Sequence, residues 1–182
     1  MYNQTVYEST GGIFSAVKAK EIEMEGRDLA LLTDLYELTM MQGYFETGSY
    51  KKQVVFDLFY RKNPSGNGYA IAAGLQQAIE YIRNLRFTED DIAYLEGLGL
   101  FSADFIDYLK DFRFTGEIYA IPEGTVVFPH EPLMRVKAPI VEAQLVETAL
   151  LNIINHQSLI ATKAARVVWA AQGDPVMEFG LR

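Results

Sequence analysis

The sequence contains no cysteine, so it can form neither a disulfide bond nor a thiolate ligand or nucleophile. It has no apolar run of about 18 residues or more, which argues against a membrane-spanning helix. The polar residues Met1–Thr10 do not have the pattern of a signal peptide. These absences predict a cytoplasmic protein that does not act in a membrane.

Histidine is also scarce, with only two in the chain. His130 lies in a proline-flanked turn and His156 at an expected helix break, and neither has a cysteine or a second histidine nearby. No metal site or catalytic triad is therefore predicted. The formal net charge of −8 argues against a general nucleic-acid-binding surface, although a local basic pocket for a small anion remains compatible with it.

What is present is a mixture of helical and strand patterns, which predicts a mixed α/β fold. Helical patterns cover residues 34–45, 75–85, 88–97, 102–109 and 141–171. Strand patterns cover residues 53–60, 69–73, 112–121, 125–128, 133–136 and 176–179. The three strands after Phe112 predict an antiparallel meander. A helix over Val141–Ala171 would be about 46 Å long, so a break near Asn155–Ser158 is expected.

The segment Leu31–Tyr44 places a tyrosine in the first turn of a helix. Asp34 and Glu37 have the spacing of an N-cap and its capping-box partner, which sets the helix start near residue 34. Tyr36 falls with Met40 and Tyr44 on a second apolar face of this helix, so the helix is expected to be covered on two sides. From spacing alone, Tyr36 is either a core residue or part of an interface.

Two other segments could bind a ligand. The loop Arg61–Gly68 combines two cations with a Gly- and Asn-rich backbone, so it is either a phosphate cradle or a solvated hairpin. Phe179 follows an apolar strand pattern. It is either a core residue or, at the carboxyl end of a strand, part of a ligand site.

Three segments, in this order, are similar to motifs of the nicotinate phosphoribosyltransferases. They are L-x-T-D-x-Y ending at Tyr36, F-x-R-x-x-P with a following G-Y between Phe59 and Tyr69, and E-F-G-x-R over Glu178–Arg182. Ser65 stands where that family usually has an aromatic residue. The resemblance covers about residues 28–182.

The resemblance implies a fold: an arm over residues 1–27, an α+β N-terminal domain over 28–138, and the truncated start of an irregular TIM-like α/β barrel over 139–182. The segment Leu145–Arg166 is also similar to one in the quinolinate phosphoribosyltransferases. Its small residues, Ser158 among them, predict close helix packing, and we interpret this segment as structural; the alternative is that Lys163 and Arg166 line an anionic site.

The resemblance also implies roles for five residues. Tyr36 would lie over the pyridine ring of the substrate, delivered from one subunit into the active site of the other, and Phe179 would cover the opposite face of that ring. Arg182 would hold the substrate carboxylate or a phosphate, and Glu178 would orient Arg182 or its loop. Arg61 would approach the phosphoribosyl diphosphate site across the dimer.

The implied reaction joins nicotinate to phosphoribosyl diphosphate, giving nicotinate mononucleotide and pyrophosphate in NAD salvage. It would use Mg²⁺ and ATP in a homodimeric enzyme. The family's phosphorylated histidine lies in a G-T-x-x-H-S segment that this sequence does not contain, so no catalytic residue is assigned here and the fragment is expected to be inactive alone. The alternatives are a nicotinamide or quinolinate phosphoribosyltransferase, and a non-catalytic dimerisation or binding module.

Overall fold

The computed structural model describes residues 29–63, 66 and 68–180, and within them the predicted mixed α/β class is confirmed. The six helices of this part are α1 Leu35–Glu46, α2 Leu75–Asn84, α3 Glu89–Gly97, α4 Ala103–Lys110, α5 Ile140–Leu145 and α6 Glu147–Ala171. Its five strands are β1 Gln53–Leu58, β2 Ala70–Ile71, β3 Glu117–Ala120, β4 Val126–Val127 and β5 Met134–Pro139. The predicted arm over residues 1–27 and the site residue Arg182 lie outside the described residues.

Two small antiparallel sheets replace the predicted meander. The larger sheet has the order β1-β5-β3, and β4 pairs with β2 in a separate sheet. The prediction was wrong because the turn after Pro122 carries the chain out of the first sheet. There the Gly124 N–H donates to the Ala72 carbonyl (2.8 Å), and the Ala72 N–H donates to Thr125 (2.9 Å).

The predicted helix starts are confirmed where a side chain caps them. Asp34 is the N-cap of α1, and its N–H donates to the Glu37 carboxylate (3.3 Å). Thr88 begins α3 by exchanging hydrogen bonds with Asp91, as the capping-box spacing predicted. Ser102 begins α4. These caps fix the helices that surround the core, and the core includes Met41, Leu95, Phe105 and Leu109.

The helix α6 runs without interruption through residues 155–158, so the predicted break there was wrong. The helical stretch is instead divided at Val146, between α5 and α6. The hydroxyl of Ser158 accepts the Ala73 N–H (3.1 Å), and that of Thr162 accepts the Ile71 N–H (2.9 Å). The polar side chains of this region therefore bind the backbone of β2 and the residues after it, and the helix remains intact.

We expect Thr162→Val to lower the free energy of unfolding by about 1–3 kcal/mol. The side chain of Thr162 is buried, and without its hydroxyl the Ile71 N–H would have no hydrogen-bond acceptor at this position. Urea denaturation would measure the loss. Lys163→Ala, at the exposed next position of α6, is the matched control and should change stability by less than about 0.5 kcal/mol. Equal effects of the two substitutions would contradict this role for Thr162.

Residues 174–180 form no strand, contrary to the strand predicted over Val176–Phe179. None of the described strands pairs with this segment, and its apolar side chains are exposed, Met177 at 76% and Phe179 at 83%. A segment with a strand pattern forms a strand only when a neighbouring strand supplies the hydrogen-bonding partners.

Across the described residues, no helix combines the length and the apolar character needed to cross a bilayer.

Candidate functional site: a cleft with an aromatic and a cationic wall

An open cleft of about 650 Å³ lies between the start of α1, the end of β1 and the first half of α6. It brings together two of the predicted site residues, Tyr36 and Arg61. Its other lining residues are Asp34, Leu58, Phe59, Tyr60, Lys62, Ala70, Val127, Leu133, Glu147, Thr148, Leu151, Asn152, Ile154, Asn155, Ser158 and Leu159. The cleft therefore combines an apolar floor with aromatic, amide and charged groups, as small-molecule sites commonly do.

Tyr36 is 53% exposed, so within this chain it is not a core residue. The same turn of α1 points Glu37 inward, where its side chain is buried. The pKa of the Tyr36 phenol is raised, first by the carboxylate of Glu37, then by desolvation and by the charges of Glu147 and Asp34. The ring is therefore neutral at ordinary pH and presents a face suited to stacking on a flat heterocycle.

Arg61 lies at the rim of the cleft because the preceding residue is anchored to the fold. The Tyr60 hydroxyl lies 2.8 Å from the Val127 carbonyl and 2.9 Å from Asn63 Oδ1, and the His130 N–H donates to the Tyr60 carbonyl (2.9 Å). Arg61 and Lys62 are exposed, so two cations face an incoming anion. Residues 64, 65 and 67 of the predicted cradle lie outside the described residues.

The wall formed by α6 was not predicted as part of a site. Glu147, Thr148, Asn152 and Asn155 all line the cleft from this helix. A signal for it was available in the sequence, because polar residues at positions 148, 152 and 155 recur at helical spacing on one face of the helix. They supply hydroxyl and amide groups opposite the loop that carries Arg61.

Next to Tyr36 in the sequence, Glu37 is a fully buried carboxyl group. Its Oε2 accepts hydrogen bonds from the hydroxyls of Thr33 and Thr148, the latter at 3.2 Å, whereas its Oε1 has no partner among the described residues. Burial raises its pKa from 4.5 to about 7, although the hydrogen bonds from Thr148 and Asp34 oppose this change. The sequence showed this residue only as the capping-box partner of Asp34.

We expect the buried carboxyl group to make stability depend on pH. Because the pKa of Glu37 is higher in the folded protein than in the unfolded chain, its contribution is complete below about pH 4.5 and is lost as the pH rises through about 7. Over that range, the free energy of unfolding of the wild type should fall by about 3 kcal/mol relative to that of Glu37→Gln. Urea denaturation at several pH values would measure the difference, and parallel profiles for the two proteins would contradict it.

Two other predicted site residues do not line this cleft. Phe179 and Glu178 lie in the exposed segment after α6, where the Glu178 carboxylate accepts the Gly180 N–H. Glu178 thus orders its own turn, and Arg182, which it was expected to orient, lies outside the described residues. Within the part of the chain that the structure describes, no group of three or more His, Asp or Glu side chains could hold a metal ion.

The fold is shared with solved structures of two enzymes. It superposes on human nicotinic acid phosphoribosyltransferase with a TM-score of 0.73 at 36% identity, covering 83% of this chain and 31% of that one. It also superposes on nicotinate-nucleotide pyrophosphorylase from Pyrococcus furiosus with a TM-score of 0.65, over 90% of this chain and 35% of that one. At 23% identity, the second likeness shows the fold alone. The first match places this chain with the corresponding part of a nicotinic acid phosphoribosyltransferase.

Sequence comparison identifies the family. The family model for the nicotinate phosphoribosyltransferase N-terminal domain matches residues 31–155. The nicotinate phosphoribosyltransferase of Bacillus subtilis is 54% identical over 154 residues, which are 85% of this chain and 31% of that protein. That of Mycobacterium tuberculosis is 53% identical over 153 residues, 84% of this chain and 33% of that protein. The chain therefore belongs to the nicotinate phosphoribosyltransferase family, as predicted, and spans about a third of the length of these relatives.

Proposed function

We propose that the protein containing this chain is a nicotinate phosphoribosyltransferase, which forms nicotinate mononucleotide and pyrophosphate from nicotinate and phosphoribosyl diphosphate, with ATP hydrolysis, in NAD salvage. The observation that carries the proposal is the exposed ring of Tyr36 on the same cleft as Arg61, in a chain of this family. An aromatic face and a cation are the two groups that a pyridine and a phosphorylated sugar require.

In this proposal, the residues of this chain bind and orient the substrates. The ring of Tyr36 stacks on the pyridine and holds its nitrogen in line with the anomeric carbon of the sugar. Arg61, with Lys62 beside it, attracts the phosphate groups, and its guanidinium can grip an oxyanion through two donors. Displacement at the anomeric carbon passes through an oxocarbenium-like state and needs no nucleophile from the protein.

The site is proposed to be completed by a second subunit. The cleft of Tyr36 and Arg61 is open, and neither Phe179 nor Glu178 of the same chain lines it. A second copy could bring its own Phe179 to the face of the pyridine opposite Tyr36, with Arg182 on the substrate carboxylate. We therefore propose a homodimer with a shared active site, acting in the cytoplasm.

The described residues do not fit a dedicated magnesium site, because they contain no group of three or more His, Asp or Glu side chains that could bind a metal. No residue of this chain is therefore assigned to Mg²⁺, and no step is derived through it. The sequence also has no G-T-x-x-H-S segment, so no residue here is assigned to the use of ATP. Both remain requirements proposed for the complete enzyme.

The test is pyrophosphate release by the product of the complete reading frame, supplied with phosphoribosyl diphosphate and Mg-ATP. Nicotinate, nicotinamide and quinolinate would be offered separately. Turnover with nicotinate alone is the expected result. Turnover only with another pyridine would reassign the substrate, and no turnover with any of the three by folded protein would reject the proposal in favour of a binding module.

A further inference from the structure

Glu37 connects the two helices that form the aromatic end of the cleft. Its Oε2 accepts the hydroxyl of Thr33, just before α1, and that of Thr148 in the first turn of α6. Tyr36 is the adjacent residue in the first turn of α1. A contact that fixes this turn against α6 therefore also fixes the position of the Tyr36 ring above the cleft.

The charged groups that face Glu37 are both carboxylates. They are Asp34, at the N-cap of its own helix, and Glu147 in the first turn of α6. None of the ion pairs in the described part of the chain involves Glu37. An ionised Glu37 therefore has two like-charged neighbours, together with a buried Oε1 that no donor satisfies.

The other helices packed against α1 bring neutral groups to it. From α5, the Gln144 amide approaches Met40 Sδ at 3.3 Å. From the start of α4, the Ser102 N–H donates to the Gln42 side chain (2.8 Å). The nearest acidic residue of α5, Glu142, is engaged elsewhere, since its carboxylate accepts the N–H and hydroxyl of Thr115. No cation among these contacts compensates a charge on Glu37.

We propose that Glu37 is a positioning residue that acts through Tyr36: its neutral form holds the first turn of α1 against α6, and its ionised form loosens that turn and weakens the binding of an aromatic ligand. The inference rests on the proposed function, in which this ligand is nicotinate. Because burial raises the pKa of Glu37 to about 7, the two forms exchange within the pH range in which enzyme kinetics are readily measured.

The direction of the effect follows from the surroundings of the carboxyl group. When Glu37 ionises, the repulsion from Glu147 and the missing donor at Oε1 both favour movement of the side chain toward water. That movement separates the first turns of α1 and α6 and displaces the Tyr36 ring. The affinity for a stacked pyridine should therefore fall as the pH rises.

The first experiment measures nicotinate KM and kcat of the full-length enzyme between about pH 6 and pH 8.5. In the wild type, KM should rise about threefold to tenfold from the low to the high end of this pH range, which corresponds to the loss of an aromatic stacking contact. The KM of Glu37→Gln should not change with pH. The matched control is Glu46→Gln, at the exposed last residue of α1, which should follow the wild type. The kcat profile should be the same in all three proteins. Superimposable KM profiles for the wild type and Glu37→Gln would overturn the inference.

A second variant keeps the inference testable if Glu37→Gln fails to fold. Thr148 donates a hydrogen bond to Glu37 Oε2, so its loss in Thr148→Val should move the midpoint of the KM transition along the pH axis. A role limited to structural support would change stability without moving that midpoint. An unchanged midpoint in folded Thr148→Val would count against the inference.

A third measurement separates this inference from the proposed function. In the full-length protein labelled with fluorotyrosine, the Tyr36 resonance is assigned by its loss in Tyr36→Phe, and it should shift with pH in the wild type but not in Glu37→Gln. Absence of turnover with all three pyridines, together with this shift, would reject the proposed function and support the inference. Turnover with nicotinate and a Tyr36 signal independent of pH would reject the inference alone.

Discussion

Tyr36→Ala in the full-length protein is expected to raise the nicotinate KM by about tenfold to a hundredfold, which corresponds to losing the burial of one aromatic ring against the ligand. The fold should be nearly unaffected, because the ring is 53% exposed and the inward-facing residues of the same turn remain. Steady-state kinetics with nicotinate as the varied substrate would measure the change. The KM for phosphoribosyl diphosphate should move much less.

Two variants control for this result. Tyr36→Phe keeps the ring and should retain a KM close to that of the wild type. Tyr94→Ala removes another exposed tyrosine, which is 60% accessible on α3 and does not line the cleft, so it should leave KM unchanged. Loss of the folded dimer by Tyr36→Ala, with no specific effect on KM, would instead mean that the residue supports the assembly and not the substrate.

Gly116→Ala should destabilise the protein by about 3 kcal/mol or more, an effect in the range of severe overpacking. A Cβ at this position would lie 2.8 Å from the Lys137 carbonyl oxygen and 2.9 Å from the Phe114 ring, and it would overlap the Cβ of Ala138. Lys137 and Ala138 belong to β5, the central strand, which cannot move away without disturbing its pairing with β1 and β3. The free energy of unfolding from urea denaturation would measure the loss.

The comparison for this substitution is Gly97→Ala at the end of α3. A Cβ there would meet no atom within 4 Å, and the change from glycine reduces the freedom of the unfolded chain. Gly97→Ala should therefore be neutral or stabilising by up to about 1 kcal/mol. If Gly116→Ala proved as stable as Gly97→Ala, β3 would have to accommodate the methyl group by a shift that leaves the sheet intact.

Local interactions explain which parts of the fold were predictable from sequence. The starts of α1, α3 and α4 depend on caps within three residues, so Asp34, Thr88 and Ser102 were sufficient to place them. The meander and the break in α6 were wrong for a common reason. Both depend on β2 and the residues just after it, whose hydrogen bonds to Thr162 and Ser158 join residues more than 80 positions apart. No pattern within a short window records such a contact.

The sequence indicated only part of the candidate site, as it did for the fold. Tyr36 and Arg61 were assigned to a site because motifs mark them; both line one cleft, and their roles stay predictions. The α6 wall was missed because the spacing of Thr148 and Asn152 marks a polar face of the helix, whereas what that face meets depends on the packing of α6 against β2 and α2. Phe179 and Glu178 were assigned from a motif alone, and their part in the site remains a prediction that depends on a second subunit.

The hydroxyl groups of Ser158 and Thr162 also have a consequence for biosynthesis. The backbone of residues 71–73 receives two of its hydrogen-bonding partners from a helix synthesised more than 80 residues later. Until Thr162 has left the ribosome, the edge of β2 therefore stays open to pairing with other nascent chains. Slow translation of α6 would prolong that exposure, so the aggregation of this protein during expression should respond to the rate at which α6 is made.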